Sequence, residues 1–342
     1  MRFAAIISLL ALSAAAAAAL EVKEGLVKLV ASESTGRVSV YKLIDVAKGK
    51  YEPLVFEQDP RTSLVTLSAD GRHVKLGDSS EYRFQITRTD GGLRIEYRSA
   101  SCVVRQSYDF VKSAGQALAD GVRIGFELEN VSERESMLGL RVLIDTWLGE
   151  KSGAHFRTEL TQRIAVETAL RPGSDERWVA SIGDRAGFMA QFAGAGVDGP
   201  DSVLLSNWKR LSDATWGYDA NPQRNFTLVP YSINDSAIAL FWEPVLVSRG
   251  ATRKVSFVMG SFNESGYSAP DGRTKTEEIF AATVLSSGTP GAATSLAADL
   301  VAVRDLVSRI DRAMAAGGSI PDSELEAWQK ILDRLEERKK GY

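Results

Sequence analysis

From residue 20 to about residue 262 the chain alternates apolar and polar side chains with a period of two, and this limits its fold more than any other feature. The cleanest run is 122–130, where Val122, Ile124, Phe126 and Leu128 fall on one face and Arg123, Gly125, Glu127 and Glu129 on the other. Successive side chains of a strand point to opposite faces, so this pattern describes a strand with one buried and one solvated side, as in antiparallel sheets. Similar short runs recur at 27–30, 37–41, 82–86, 93–97, 102–110, 138–148, 178–182, 188–192, 203–205, 238–242 and 255–259. Gly, Asp, Asn and Pro separate them, and Asp90-Gly91-Gly92 between two alternating runs marks a hairpin. The spacing predicts about 14 to 18 strands. No linker and no internal repeat divides this segment, so one large antiparallel β-sandwich is expected in place of two small ones.

The flanks follow other rules. Residues 1–19 combine Arg2, an apolar run over 3–12 and small residues up to Ala17 and Ala19, which is the pattern of a secretory signal peptide cleaved after Ala19. No other apolar run reaches membrane-spanning length, so no transmembrane segment is expected in the mature chain. Residues 263–293 are rich in turn formers and read as a loop and linker. Beyond them Leu296, Leu300, Val303, Val307, Ile310 and Met314 take up a helical spacing, and after Gly317-Gly318 so do Leu325, Trp328, Leu332 and Leu335. Residues 294–342 are therefore predicted to form an α-helical hairpin, which must dock on the sandwich, on a second copy or on a partner to bury both stripes. The fold class expected is mainly β with this C-terminal hairpin.

Composition narrows function by exclusion. A net charge of −3 gives no basis for binding nucleic acid or an anionic membrane. Cys102 is the one cysteine, set in an apolar run, so an exported chain of this kind has no internal disulfide and the thiol reads as buried. One cysteine and two histidines make no dedicated zinc or iron–sulfur site, and neither a dinucleotide fingerprint nor a phosphate loop is present. No cofactor or metal is expected, and no catalytic residue is assigned.

Two stretches stand out. In 143–156 the polar pair Asp145-Thr146 interrupts an apolar run and a Gly-rich loop leads to His155; Asp145 either bonds the following turn or projects into a cleft. Residues 204–242 hold three of the chain's six tryptophans. Trp208, Trp216 and Tyr218 suit either a stacking platform for sugar rings, with Lys209, Arg210 and Arg224 as donors, or core aromatics with satisfied polar tips. Asp235 sits in an Asn-Asp-Ser turn beside them. Candidate ligand-binding residues are thus Asp145, His155, Trp208, Lys209, Arg210, Trp216, Tyr218, Arg224 and Asp235.

Two resemblances extend this reading. Residues 130–149, together with 207–218 and 230–242, resemble segments of uncharacterised exported proteins of spirochaetes, which implies a periplasmic or secreted location. The long all-β chain with a hairpin-rich first half is similar in outline to the galactose-mutarotase-like supersandwich. That family uses two histidines and a carboxylate; the flanks of His73 and His155 do not match its motifs, so no catalytic residue is carried over. The leading functional expectation is an exported, non-enzymatic binding or structural protein of the cell envelope. Its partner would be an envelope protein or a glycan, and it would self-associate through the helical hairpin. The alternative is a carbohydrate-binding or carbohydrate-processing, mutarotase-like protein.

Overall fold

The computed structural model describes residues 19–57, 62–172, 176–194 and 196–267, with isolated helical positions between 303 and 336. The described chain opens with β1 (Ala19–Glu24), β2 (Val27–Ser32), β3 (Val38–Asp45), β4 (Lys50–Pro53), β5 (Leu64–Ala69) and β6 (Arg72–Lys75). It continues through β7 (Arg83–Thr89), β8 (Gly92–Arg98), β9 (Cys102–Val111), β10 (Gly121–Asn130) and β11 (Ser136–Thr146). After β12 (Arg157–Thr158), β13 (Thr168–Leu170), β14 (Trp178–Ile182), β15 (Gly187–Gln191) and β16 (Ser202–Asn207) comes the helix α1 (Trp208–Asp213). Strands β17 (Ser236–Val247) and β18 (Thr252–Ser261) close the fold.

These strands make three antiparallel sheets: four strands in the order β1-β2-β3-β4, eight in the order β12-β14-β15-β18-β10-β9-β8-β7, and six in the order β13-β16-β17-β11-β5-β6. The run over 122–130 behaves as its alternation requires. In β10 the even positions Val122 to Leu128 are buried and the odd positions are half-exposed. One continuous core joins all three sheets, with Leu29 and Val40 from the four-stranded sheet, Ile95 and Phe126 from the eight-stranded sheet, and Leu140 and Trp242 from the six-stranded sheet. Burying an aliphatic or aromatic side chain of this kind is worth roughly 1.5–3 kcal/mol, which lets a chain without a disulfide hold together. Cys102 lies inside this core. The turn at Asp90-Gly91-Gly92 is required by geometry: Gly92 has φ +155°, and a Cβ there would stand 1.9 Å from the Tyr108 carbonyl oxygen.

Strand β11 departs from simple alternation. It is buried on both faces at all but one of its positions, including Arg141 and Asp145. The inner face packs into the sandwich, and the outer face is covered by the chain between β16 and β17.

The hairpin expected at 294–342 lies for the most part outside the described residues, whose one delineated helix is α1. Scattered positions there, among them Val303, Leu306, Trp328 and Leu332, are helical, and Leu306 and Trp328 are buried. The predicted signal peptide and most of the predicted 263–293 linker lie outside the described residues. No described helix is long and apolar enough to cross a membrane.

Candidate functional site

The outer face of the six-stranded sheet carries a second apolar cluster of Leu64, Leu143, Leu204, Ala237, Ala239 and Phe241. Residues 208–235 fold over it. Asn207 starts this excursion as the N-cap of α1, its side-chain oxygen accepting from the Arg210 N–H at 3.3 Å. Its amide nitrogen donates to the carbonyls of Phe226 (2.8 Å) and Asp235 (3.0 Å) and to the Ser232 hydroxyl (2.9 Å), so one buried side chain ties both ends of the excursion together. Leu211 is inserted into the outer cluster, and Trp208, Trp216 and Tyr218 pack around it, half-buried. The Trp208 indole donates to the Thr62 carbonyl at 2.9 Å and the Trp216 indole to Glu243 at 3.2 Å. Trp216 also stacks on His73, with ring centroids 5.0 Å apart. From the sheet below, Arg141 donates to the carbonyls of Leu211 and Ala214 at the end of α1. Desolvation lowers its pKa to about 10.

Against the excursion packs a carboxylate from just before β13, with four donors. Glu167, 1% exposed, accepts from Arg210 (2.8 Å), the Ser206 hydroxyl (2.8 Å), the Tyr218 hydroxyl (2.9 Å) and the Asn221 N–H (2.9 Å). A buried charge is tolerable when it is paired and hydrogen-bonded in this way. Arg210 spends its remaining donors on the Asn225 and Thr227 carbonyls, both at 2.8 Å.

At the rim of the same sheet two further carboxylates meet. The register pairs Thr146, at the end of β11, with Ser236, at the start of β17. Four residues past Thr146, Glu150 Oε1 accepts from the Ser236 N–H at 2.9 Å and from its hydroxyl at 3.3 Å. Asp235 precedes that serine. Burial raises Glu150 to about 7 from 4.5, and the neighbouring Asp235 charge adds to the rise. Burial also raises Asp235, against a hydrogen bond from Ser232. His155 lies on the other side of Phe226, ring centroids 4.5 Å apart, and burial lowers its pKa to about 4 from 6.5. Before Asp235 the chain exposes Val229, Tyr231 (72%) and Ile233 (77%), and the Lys209 ammonium stands 5.8 Å from the Tyr231 ring. Among the described residues no three His, Cys, Asp or Glu side chains gather as metal ligands would.

Solved structures share this outline. A provisionally named aldose 1-epimerase from Escherichia coli K12 is similar over 72% of this chain and 99% of its own, at 10% identity and a TM-score of 0.44. A galactose mutarotase-like protein from Lactobacillus casei is similar over 72% and 100%, at 9% identity and a TM-score of 0.42. A galactose mutarotase related enzyme from Lactobacillus acidophilus is similar over 73% and 99%, at 9% identity and a TM-score of 0.39. No family model and no curated protein matches the chain. The leading expectation, a non-enzymatic binding or structural protein of the envelope, is corrected here: these neighbours are named as epimerase and mutarotase-like proteins, and that expectation is not carried further. At such identities and TM-scores they bring no residue and no substrate with them, and the chemistry is argued from the chain's own side chains.

The residues singled out from sequence fall into separate groups. Arg210 and Tyr218 converge on Glu167, with Arg224 reaching the Tyr218 hydroxyl at 3.5 Å. Asp235 and His155 flank Phe226. Trp208 and the Asp145 N–H bond the adjacent residues Thr62 and Ser63. Lys209 pairs with Asp213 at 2.5 Å, and Trp216 with Glu243. Glu150 and Glu167 are the functional-looking carboxylates absent from the sequence-derived set. Glu150 was visible only as one of several acidic residues near strand ends, and Glu167 has no local signal at all.

Proposed function

We propose that this chain is an exported carbohydrate-processing protein of mutarotase-like outline, with its active carboxylates at the Glu150–Asp235 rim. The reading is supported by the β11–β17 register, which brings Glu150 onto Ser236 next to Asp235, two carboxylates each raised by burial, with the exposed Tyr231 ring four residues before Asp235. A group poised near 7 both accepts and donates a proton at neutral pH, which is what general acid–base catalysis asks for. Tyr231 supplies an aromatic face for a sugar ring and Lys209 a donor beside it.

Interconversion of sugar anomers requires only proton transfers. One carboxylate takes the proton of the anomeric hydroxyl while the other protonates the ring oxygen. The ring C–O bond opens to the carbonyl form, rotation exposes its other face, and reclosure returns both protons. Nothing is oxidised and no group is lost. Glu150 and Asp235 are assigned these two roles.

The signal-peptide pattern over 1–19 supports a periplasmic or secreted location for the reaction, and the helical spacing over 294–342 supports a helical hairpin there. The test is the rate of anomer exchange of freshly dissolved aldohexoses, followed by polarimetry or proton NMR. Wild type should accelerate exchange, and Glu150→Gln or Asp235→Asn should each lose at least about 100-fold of the enzymatic rate. Full activity in both folded variants would refute the assignment.

A further inference from the structure

A second candidate site lies away from the rim, inside the sandwich. A cavity of about 60 Å³ sits between the sheets, lined by Ile124, Phe126, Phe257 and Met259 on its apolar side. Its polar lining is Arg37, Gln106, Tyr97 and Tyr108. It opens toward Val38, Ser63 and Val65, which keep contact with solvent.

Three features bear on what this cavity can hold. First, the Arg37 side chain is 7% exposed and none of its guanidinium nitrogens has a hydrogen-bond partner among the described residues. Asp78 Oδ1 approaches Nη2 at 2.8 Å from the solvent side, an ion-pair contact outside hydrogen-bond alignment. Asp78 pairs the charge, but the N–H groups of a buried guanidinium that lack an aligned acceptor still favour a second one, because water no longer solvates them. Second, the backbone is shaped to hold Arg37 there. Gly36 has φ +68°, its carbonyl accepts from the Tyr97 hydroxyl at 3.0 Å, and a Cβ at Gly36 would stand 2.8 Å from that hydroxyl. Third, the Tyr108 hydroxyl already accepts from the Gln106 amide at 2.6 Å, and no acceptor for its own proton is found among the described residues. That proton is available to the cavity.

We propose that this cavity is a binding site for a small monocarboxylate. The carboxylate would take N–H donors from Arg37 and the hydroxyl proton of Tyr108, and the short alkyl end would pack on Ile124, Phe126 and Phe257. At roughly 10–15 Å³ of such space per water-sized group, the cavity holds about four heavy atoms, which is the size of acetate. The apolar far wall favours a carboxylate with a methyl group over a fully polar anion.

The experiment titrates acetate into the full chain at constant ionic strength and follows its methyl group by proton saturation-transfer NMR. Saturable transfer is expected for acetate and not for acetamide, which has the same shape without the charge. Arg37→Gln should weaken acetate by at least about tenfold through loss of a charge-assisted hydrogen bond, and Tyr108→Phe by about fivefold. The proposal is overturned if folded wild type shows no saturable transfer, or if acetamide binds as well as acetate. Competition by inorganic phosphate at equal concentration also overturns it, since the site would then be a general anion site. If Arg37→Gln fails to fold, Tyr108→Phe decides alone: unchanged acetate affinity there overturns the proposal.

Discussion

Replacing Glu150 by Gln should stabilise the protein at pH 8 and leave it unchanged at pH 4.5. The Gln side chain keeps the carbonyl oxygen that accepts from Ser236 and removes only the charge. In the folded protein Glu150 titrates at about 7, against 4.5 for the free side chain, because burial and the Asp235 charge disfavour its ionised form. The folded state therefore holds this proton more tightly than the unfolded chain. Wild-type stability falls as pH rises from 4.5 toward 7 and is level, as far as this group is concerned, above that. At about 1.4 kcal/mol per tenfold change in proton affinity, the gap amounts to at most about 3.5 kcal/mol. Glu150 keeps part of its surface in water, and screening brings the expected gain of the variant to about 1.5 kcal/mol. Urea melts at several values between pH 4.5 and 8 read this directly, as a midpoint difference that opens with pH on the order of half a molar. An equal difference at both ends of the range, or a wild type more stable than the variant at pH 8, would refute the electrostatic account. The same substitution removes the proposed proton donor, so a variant both more stable and inactive is the combined signature.

His155 carries the opposite pH dependence. Its folded value of about 4 lies below the ordinary 6.5, so its contribution is intact above 6.5 and is lost as pH falls toward 4. In His155→Phe, whose ring can keep the contact with Phe226, thermal melts should lose this acid-side decline; an unchanged decline would remove His155 as its source. Glu167→Gln should be costly, at about 3–5 kcal/mol, because Arg210 is left buried without its counter-charge. Chemical denaturation measures it, and a loss below about 1 kcal/mol would mean that solvent reaches Arg210 in the variant.

The sheets were legible because each strand with one buried face writes that face into the sequence at period two, as β10 does. The loss of that period in β11 was also informative. Its run is apolar on both sides because the 208–235 excursion seals the outer face, and Arg141, a charged residue within it, bonds the cover. What could not be read was pairing. Glu150 and Ser236 are 86 residues apart, and only the register of β11 on β17 brings them together. The density of aromatic and polar residues in 204–242 pointed to the right region, but it mixed two purposes. Trp208, Trp216 and Tyr218 hold the cover down with satisfied polar tips, while Tyr231, one turn further on, carries the exposed ring. Local composition does not distinguish a ring that packs on a sheet from one that faces water.

Arg141 sets a condition on how this molecule can move. The cation below the cover is hydrogen-bonded to the peptide oxygens of Leu211 and Ala214 at the end of α1, so sheet and cover are joined by polar contacts as well as by packing. Lifting the excursion would strip those oxygens from the guanidinium and expose Leu211 and Phe241 in the same event. An excursion so joined to its sheet belongs to the sheet's cooperative unit and opens only when the sheet itself begins to unfold. On the proposed reading, substrate would then exchange at the rim, where the Tyr231 and Ile233 side chains already face solvent, while the scaffold beneath stays shut.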